Sequence, residues 1–349
     1  MSAKKRINTM EQLSAEIGVS RATLSRYFQD SSLVRKSTSE KIAQLLTTVD
    51  YVPNFLARNM NRKRTGWFGV VLPHLNDLFY MTLLREIERR AEELDFSVLI
   101  QNSHGDPEKE VQAVKNLRSM NAEGVIVAPI GAVQNTPTFK RLSQDLPMVF
   151  VDARCPGLER EFSFVGTDNA QSMKLMVDYL RRSGTPPKFL SMPSVNSNSD
   201  EREQAYVSRM TEVGLEPQLI RGASSAPIWD FESHGYEVMR ELIADGLEAD
   251  ATVLCANDRL AMGALRAANE AGLIGRSDED VPRLRIAGHD DHPLSQYMWP
   301  AMTTVSQDVA RIGRAAVDSI SSQARADSDK GRKPVEKLFP AQLCIRNSA

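Results

Sequence analysis

The sequence predicts an all-α helix-turn-helix head followed by an α/β core of two lobes, each a parallel sheet covered by helices. Three observations carry that expectation. Residues 9–28 read as two short helices around the turn Gly18-Val19-Ser20. From Trp67 onward apolar strands alternate with amphipathic helices, the pattern of repeated βαβ units. The alternation restarts near Asp168, so two similar lobes are expected, with ligand chemistry at the carboxyl ends of the strands.

In the head, Thr9 and Gln12 have capping-box spacing, which gives the first helix a defined start. Leu13 and Ile17 form an i, i+4 apolar pair, and Gly18 ends the helix where a positive φ is wanted. Ser20 caps the second helix, whose Leu24 and Phe28 turn inward while Arg21, Ala22, Thr23, Ser25 and Arg26 stay outside. An outward arginine-and-hydroxyl face on a braced short helix suits the DNA major groove, the alternative being a plain helical hairpin with a solvated basic face. Ser37 and Glu40 mark a third helix, with Ile42, Leu45 and Leu46 as its apolar stripe up to Val49. Tyr51-Val52-Pro53-Asn54 interrupts it, and Asn54 can cap the segment Phe55 to Met60, which is too short to hold a helix in water alone. The charged run Asn61 to Gly66 reads as a linker. The expected division is therefore 1–52 head, 53–65 hinge helix and linker, and 66–349 core.

In the core, WFGVVLP, SVLIQNS, GVIVAP and PMVFVD are the strands of the first series, with helices at Leu83–Leu94 and Glu108–Met120. The second series runs through helix Gln171–Arg182, strand KFLSMP, helix Glu201–Val213, strand Gln218–Arg221, helix Ser233–Asp245, strand ATVLCAND, helix Arg259–Ala271 and strand LRIAGHDD.

At 349 residues the chain has length for two or three domains and a sizeable core. Its net charge of −2 hides an asymmetry: residues 1–65 hold 12 Lys and Arg against 5 Asp and Glu, and the remainder 31 against 40. A basic head on an acidic body places a polyanion at one end only. Cys155, Cys255 and Cys344 are odd in number and lack metal spacing, so buried thiols are expected. No stretch approaches 18 apolar residues, and MSAKKRIN lacks a signal-peptide core, so a cytoplasmic protein is expected. No GxGxxG, phosphate loop or clustered His and Cys is present, which excludes the usual routes to catalysis; neither cofactor nor metal is expected. His289 and His292 flank Asp290 and Asp291, but a lone pair of histidines in a strand-end loop points to hydrogen bonding rather than metal.

The segments GVSRATLSR, YVPNFLAR, NDLFYMTLLREIE, ERxxAY around Arg202, LCANDRLAMGALRAA, GHDD and TTVSQD, in this order, resemble the LacI–GalR family of bacterial transcription regulators across essentially the whole chain. The resemblance implies a periplasmic-binding-protein-like core, with the first lobe at about 66–166 plus 308–336 and the second at about 167–307 plus 337–349. It also implies base-reading positions at Arg21, Ala22 and Arg26, where arginine can fork guanine O6/N7 and alanine can touch a thymine methyl. Ser20, Thr23 and Ser25 suit phosphates, and either arginine could serve there instead. Asn54, Ala57, Arg58 and Met60 match the hinge that enters the minor groove; Met60 stands where relatives usually carry leucine, and either wedges a base step or packs the hinge dimer.

For the cleft, the resemblance implies an effector site of Asn76, Asp77, Phe79, Tyr80, Asn102, Asp152, Arg202, Trp229, Asn257, Asp290 and Gln307, with Arg202 and Asp290 facing each other across it. Carboxylates, amides, an arginine and an aromatic face make a polyol site. Asp230 or Phe231 could replace Trp229, Phe79 and Tyr80 could be core residues, and Asn102 and Asp152 could cap the loops that follow them. The implied function is a homodimeric DNA-binding repressor on a pseudo-palindromic double-stranded operator, controlled by a mono- or disaccharide or glycoside, and not an enzyme. A purine-corepressed member of the family is the near alternative, and a two-lobe solute-binding protein the distant one. With no sustained leucine heptad before Ala349, a tetramerising tail is not expected.

Overall fold

The computed structural model describes residues 4–52, 65–158, 160–222, 229–274, 284–325 and 333–349. The hinge residues Asn54, Ala57, Arg58 and Met60 lie outside the described residues. The chain divides into two compact units, Met1–Gly66 and Trp67–Ala349.

In the first unit, helix Met10–Ile17 begins at Thr9, whose hydroxyl accepts the Gln12 N–H at 3.2 Å, while the Gln12 side chain accepts from Asn8 N–H at 3.0 Å. Gly18 ends it at φ 67°, a left-handed conformation open to glycine at no steric cost. Ser20 then caps helix Arg21–Gln29 by accepting the Thr23 N–H at 3.2 Å. The third helix, Lys36–Leu46, departs from expectation: it starts one residue before Ser37, and its cap Arg35 makes no side-chain capping bond. Val49 belongs not to that helix but to a strand, Val49–Asp50, paired in parallel with Lys5–Arg6. Ile7, Leu13, Ile17, Leu24, Ile42 and Val49 form the small core, so a two-strand clasp closes what helices alone would leave open.

The second unit holds two parallel sheets. The first has six strands, in the order Glu336–Phe339, Ser163–Thr167, Met148–Val151, Val125–Val127, Trp67–Leu72 and Ser97–Asn102. Phe68, Val70 and Leu72 face helices Leu78–Glu93 and Val309–Arg325, whereas Trp67 and Val71 face the cluster with Val114, Leu117 and Phe139. Burial on both faces explains why WFGVVL is continuously apolar. The second sheet has the order Arg285–Ala287, Thr252–Cys255, Lys188–Leu190 and Leu219–Ile220. On this lobe the helices Phe231–Ala244 and Asp258–Glu270 touch backbone to backbone at Gly235 and Gly263; a Cβ on Gly235 would lie 2.2 Å from the Leu260 carbonyl oxygen.

The chain crosses between lobes near residues 168, 307 and 340. Strand Glu336–Phe339 pairs whole with the first sheet, so the last crossing falls after Phe339, beyond the 336/337 division implied by the resemblance. Strand Thr304–Ser306 pairs antiparallel with Gln342–Cys344. Polar bonds tie the crossings together: Thr167 donates to the Gln307 side chain, Asp168 N–H to the Phe339 carbonyl, and Ala341 N–H to the Gln171 side chain. Cys155 and Cys255 are buried, while Cys344 is only partly so. Among the described residues no helix is long and apolar enough to cross a membrane.

Candidate functional site

On the head, Ser20, Arg21, Ala22, Ser25 and Arg26 are exposed along one side of helix Arg21–Gln29, with Leu24 fully buried beneath. Thr23 is half-buried, and its hydroxyl and that of Ser20 are 2.9 Å apart, so these two hydroxyls bond each other.

In the core, the carboxyl ends of the strands from both sheets meet at a cleft. Its lining includes nine of the eleven residues expected there: Asp77, Phe79, Tyr80, Asp152, Arg202, Trp229, Asn257, Asp290 and Gln307. Asn76 and Asn102 are not brought to it. Asn76 is exposed in the turn before the helix, and the Asn102 side chain accepts the His104 N–H at 2.9 Å, capping the loop that follows. Met192, Val195, Asn196, Asn198, Phe231, Arg259 and His292 also line the cleft. Phe231 stands beside Trp229, with ring centroids 5.8 Å apart, so both candidates for the aromatic wall are present. Arg259 belongs to the segment LCANDRLAMGALRAA and His292 directly follows GHDD, so the sequence locates both residues without showing which way they point. Asn196, Asn198 and Met192 gave no signal, because only packing turns them inward.

Arg202 and Asp290 do not face each other across the cleft. Both belong to the second lobe and form an ion pair of 2.9 Å. Arg202, 3% exposed, also donates to the Ala256 carbonyl at 2.8 Å and the Asn169 side chain at 3.2 Å. Asp290 Oδ1 further accepts from Gln307 Nε2 at 2.7 Å and lies 2.8 Å from His289 Nδ1. Burial alone would raise the Asp290 carboxyl, but the Arg202 guanidinium and the His289 ring outweigh it and hold the carboxyl below its usual range. His289 is itself pushed down to about 4, mainly by burial, and its second ring nitrogen meets the Ser172 hydroxyl at 2.8 Å. Both nitrogens are thus engaged in hydrogen bonds, and among the described residues no group of three or more His, Cys, Asp or Glu could hold a metal ion.

Asp152 has the opposite character. Burial pushes its carboxyl up to about 7, against the pull of Arg202. It accepts from the Tyr80 hydroxyl at 3.0 Å within its own lobe and from Asn198 Nδ2 at 3.2 Å on the other lobe. Burial and the neighbouring Asp152 and Asp77 charges hold the Tyr80 phenol well above its ordinary range, so it remains a donor. Asn257 caps helix Asp258–Glu270 through its oxygen, while its amide nitrogen donates to the Met192 sulfur at 3.6 Å, a weak acceptor, in the lining of the cleft. The free space between these groups is about 40 Å³, enough for a few waters. With acceptors, an amide donor and apolar walls converging, the cleft is suited to a small molecule rich in hydroxyls or other neutral polar groups.

A basic helical reader and a two-lobe cleft with polar groups at strand ends define a ligand-binding regulator of DNA. Residues 68–328 match the periplasmic binding protein domain, and residues 9–54 match the lacI family of bacterial regulatory proteins. The chain belongs to the LacI family and is a DNA-binding transcriptional regulator with a ligand-binding core. It is 27% identical to the HTH-type transcriptional regulator PtxS of Pseudomonas aeruginosa, over 97% of this chain and 95% of that one. It is 28% identical to IdnR of Escherichia coli, over 91% and 92%. In fold it resembles the Lac repressor dimer bound to operator and the anti-inducer ONPF, with a TM-score of 0.82, 23% identity and 99% of both chains covered.

Proposed function

We propose that this regulator is a cytoplasmic, homodimeric repressor whose operator affinity is set by a sugar or glycoside bound between the two lobes. The observation that carries the reading is the cleft itself. Asp152, Asn198, Asn257 and Asp290 bring hydrogen-bonding groups from several strand ends and one helix, while Phe79, Trp229 and Phe231 add aromatic surface of the kind that covers the C–H face of a sugar ring. The structural neighbours include a CelR–cellobiose complex, at 21% identity and TM-score 0.68. On the head, Arg21, Ala22 and Arg26 are assigned to bases, and Ser20, Thr23 and Ser25 to phosphates. Asn54, Ala57, Arg58 and Met60 are assigned to the minor groove, with Met60 as the wedge. Trp299, 50% exposed, lines a crevice of mixed character with Tyr236, Met262, Leu265, Glu237 and Arg266, a surface suited to a second copy.

The mechanism is linkage. A ligand that prefers one angle between the lobes shifts the population of that angle, and a coupling of ~1–3 kcal/mol changes operator affinity roughly 5- to 150-fold. The chain acts by binding rather than catalysis, in keeping with PtxS and IdnR, which are named as transcriptional regulators, and PurR, named as a transcriptional repressor. A purine corepressor is the second reading, favoured by the PurR repressor of Histophilus somni, 24% identical over 97% of this chain. A thermal-shift screen of monosaccharides, disaccharides, glycosides and purines, followed by gel shifts with each hit, tests both. A sugar hit that changes operator affinity supports the first reading, and stabilisation by purines alone replaces it with the second.

A further inference from the structure

Two ion pairs cross from lobe to lobe among the described residues. Arg154 and Glu201, 3.2 Å apart, lie beside the crossing strands and line a crevice there with Thr167 and Asp168. Arg259 and Asp77, 3.1 Å apart, are in the wall of the ligand cleft. The second pair is built from both sides. On the second lobe Glu232 grips Arg259 with two hydrogen bonds of 2.7 Å, and the guanidinium carbon lies 5.0 Å from the centroid of the Phe231 ring. The close approach of helices Phe231–Ala244 and Asp258–Glu270 at Gly235 and Gly263 fixes Glu232 beside Arg259. The guanidinium is therefore aimed before the other lobe arrives.

On the first lobe Asp77 divides its two oxygens. Oδ1 accepts the Phe79 N–H at 2.9 Å and caps helix Leu78–Glu93, while Oδ2 reaches Arg259. The cap holds the carboxylate in place, so neither partner must be ordered when the lobes come together. Asp77 is 8% exposed and the Arg259 side chain 18%, so solvent screens the pair weakly.

We propose that Arg259 is a positioning residue that latches the two lobes through Asp77 and so sets how often the cleft stands open to a ligand. With the latch made, the cleft offers only about 40 Å³, too little for a sugar. A ligand enters molecules in which the pair is broken, and its apparent affinity is reduced by their fraction. The latch goes beyond the effector reading, and its test needs no ligand, so the two can fail separately.

The test measures the distance between the lobes in the full chain. Spin labels are placed at exposed Lys115→Cys on the first lobe and Glu241→Cys on the second, with Cys344→Ser to remove the partly exposed native thiol. Asp77→Asn is the informative variant, because asparagine keeps the cap oxygen and loses only the charge. It should lengthen and broaden the distance distribution, raising the open population several-fold. Arg259→Met should do the same, and the double variant should open no further than either single one. Circular dichroism verifies folding, and if Arg259→Met is unfolded, Asp77→Asn alone decides. An unchanged distribution in Asp77→Asn, or a double variant that shifts by the sum of the singles, overturns the latch.

Discussion

On the head, Arg21, Ala22, Ser25 and Arg26 stand on one nine-residue helix, open to solvent. The cleft instead draws on residues from Asp77 to Gln307, and its polar groups are spent largely on one another. Arg202 holds Asp290, Tyr80 and Asn198 hold Asp152, and Arg259 holds Asp77. A reader side chain that nothing else uses can be removed with little effect on folding. A cleft side chain that is also a strut cannot, and a loss of ligand response there mixes lost contacts with a changed lobe.

The largest effect expected from this contrast is at Arg202. Arg202→Ala leaves Asp290 without its buried cation and should cost about 3 kcal/mol of core stability, read by chemical denaturation. A stability near that of the parent would return Arg202 to a contact made only with ligand.

Asp152 sharpens the contrast through pH. Its carboxyl is raised to about 7 in the folded protein from an ordinary value of 3.8, so between those values the folded state binds the proton that the unfolded state has lost. Its contribution therefore falls as pH rises from about 4 to 7, with a ceiling of about 1.4 kcal/mol per pH unit, and levels off above. Asp258 and Glu110, also buried and raised to about 7, add in the same sense. Asp152→Asn should flatten part of this slope, measured by denaturation at a series of pH values. An identical slope in the variant would show that the Asp152 proton is not linked to folding.

On the head, Arg21→Ala should cost ~1–3 kcal/mol on the cognate operator and less on unrelated DNA, with unfolding unchanged. Equal losses on both DNAs, in a gel shift at fixed salt, would demote Arg21 to a phosphate contact. The smallest effect is at Ser20, where Ser20→Ala should lower head stability by about 1 kcal/mol through its capping bond to Thr23 N–H. Thermal unfolding that leaves the head transition in place would contradict that cap.

Local rules wrote the head almost completely. The caps at Thr9 and Ser20, the left-handed Gly18 and the inward Leu24 depend on neighbours within four positions, and periodicity exposes such neighbours directly. The exceptions are the third helix, which starts at Lys36 without the expected Ser37 cap, and the clasp of Lys5–Arg6 with Val49–Asp50, a pairing over more than forty residues that no local spacing announces. Alternation of apolar strands and helices likewise determined two parallel sheets with a cleft at their carboxyl ends, because a buried parallel strand must be apolar on both faces. The resemblance to the family, rather than any local spacing, marked Asp152, Asp290 and Asn257 as polar groups at those ends. Which of them would partner which was decided by the tertiary structure. Arg202 turned to Asp290 on its own lobe, Asn102 turned back to its own loop, and Arg259 crossed to Asp77, since each side chain takes the nearest partner that satisfies its charge or hydrogen bonds once water is excluded. Those distances exist only after the chain has crossed three times between the lobes, and the sequence carries no record of them.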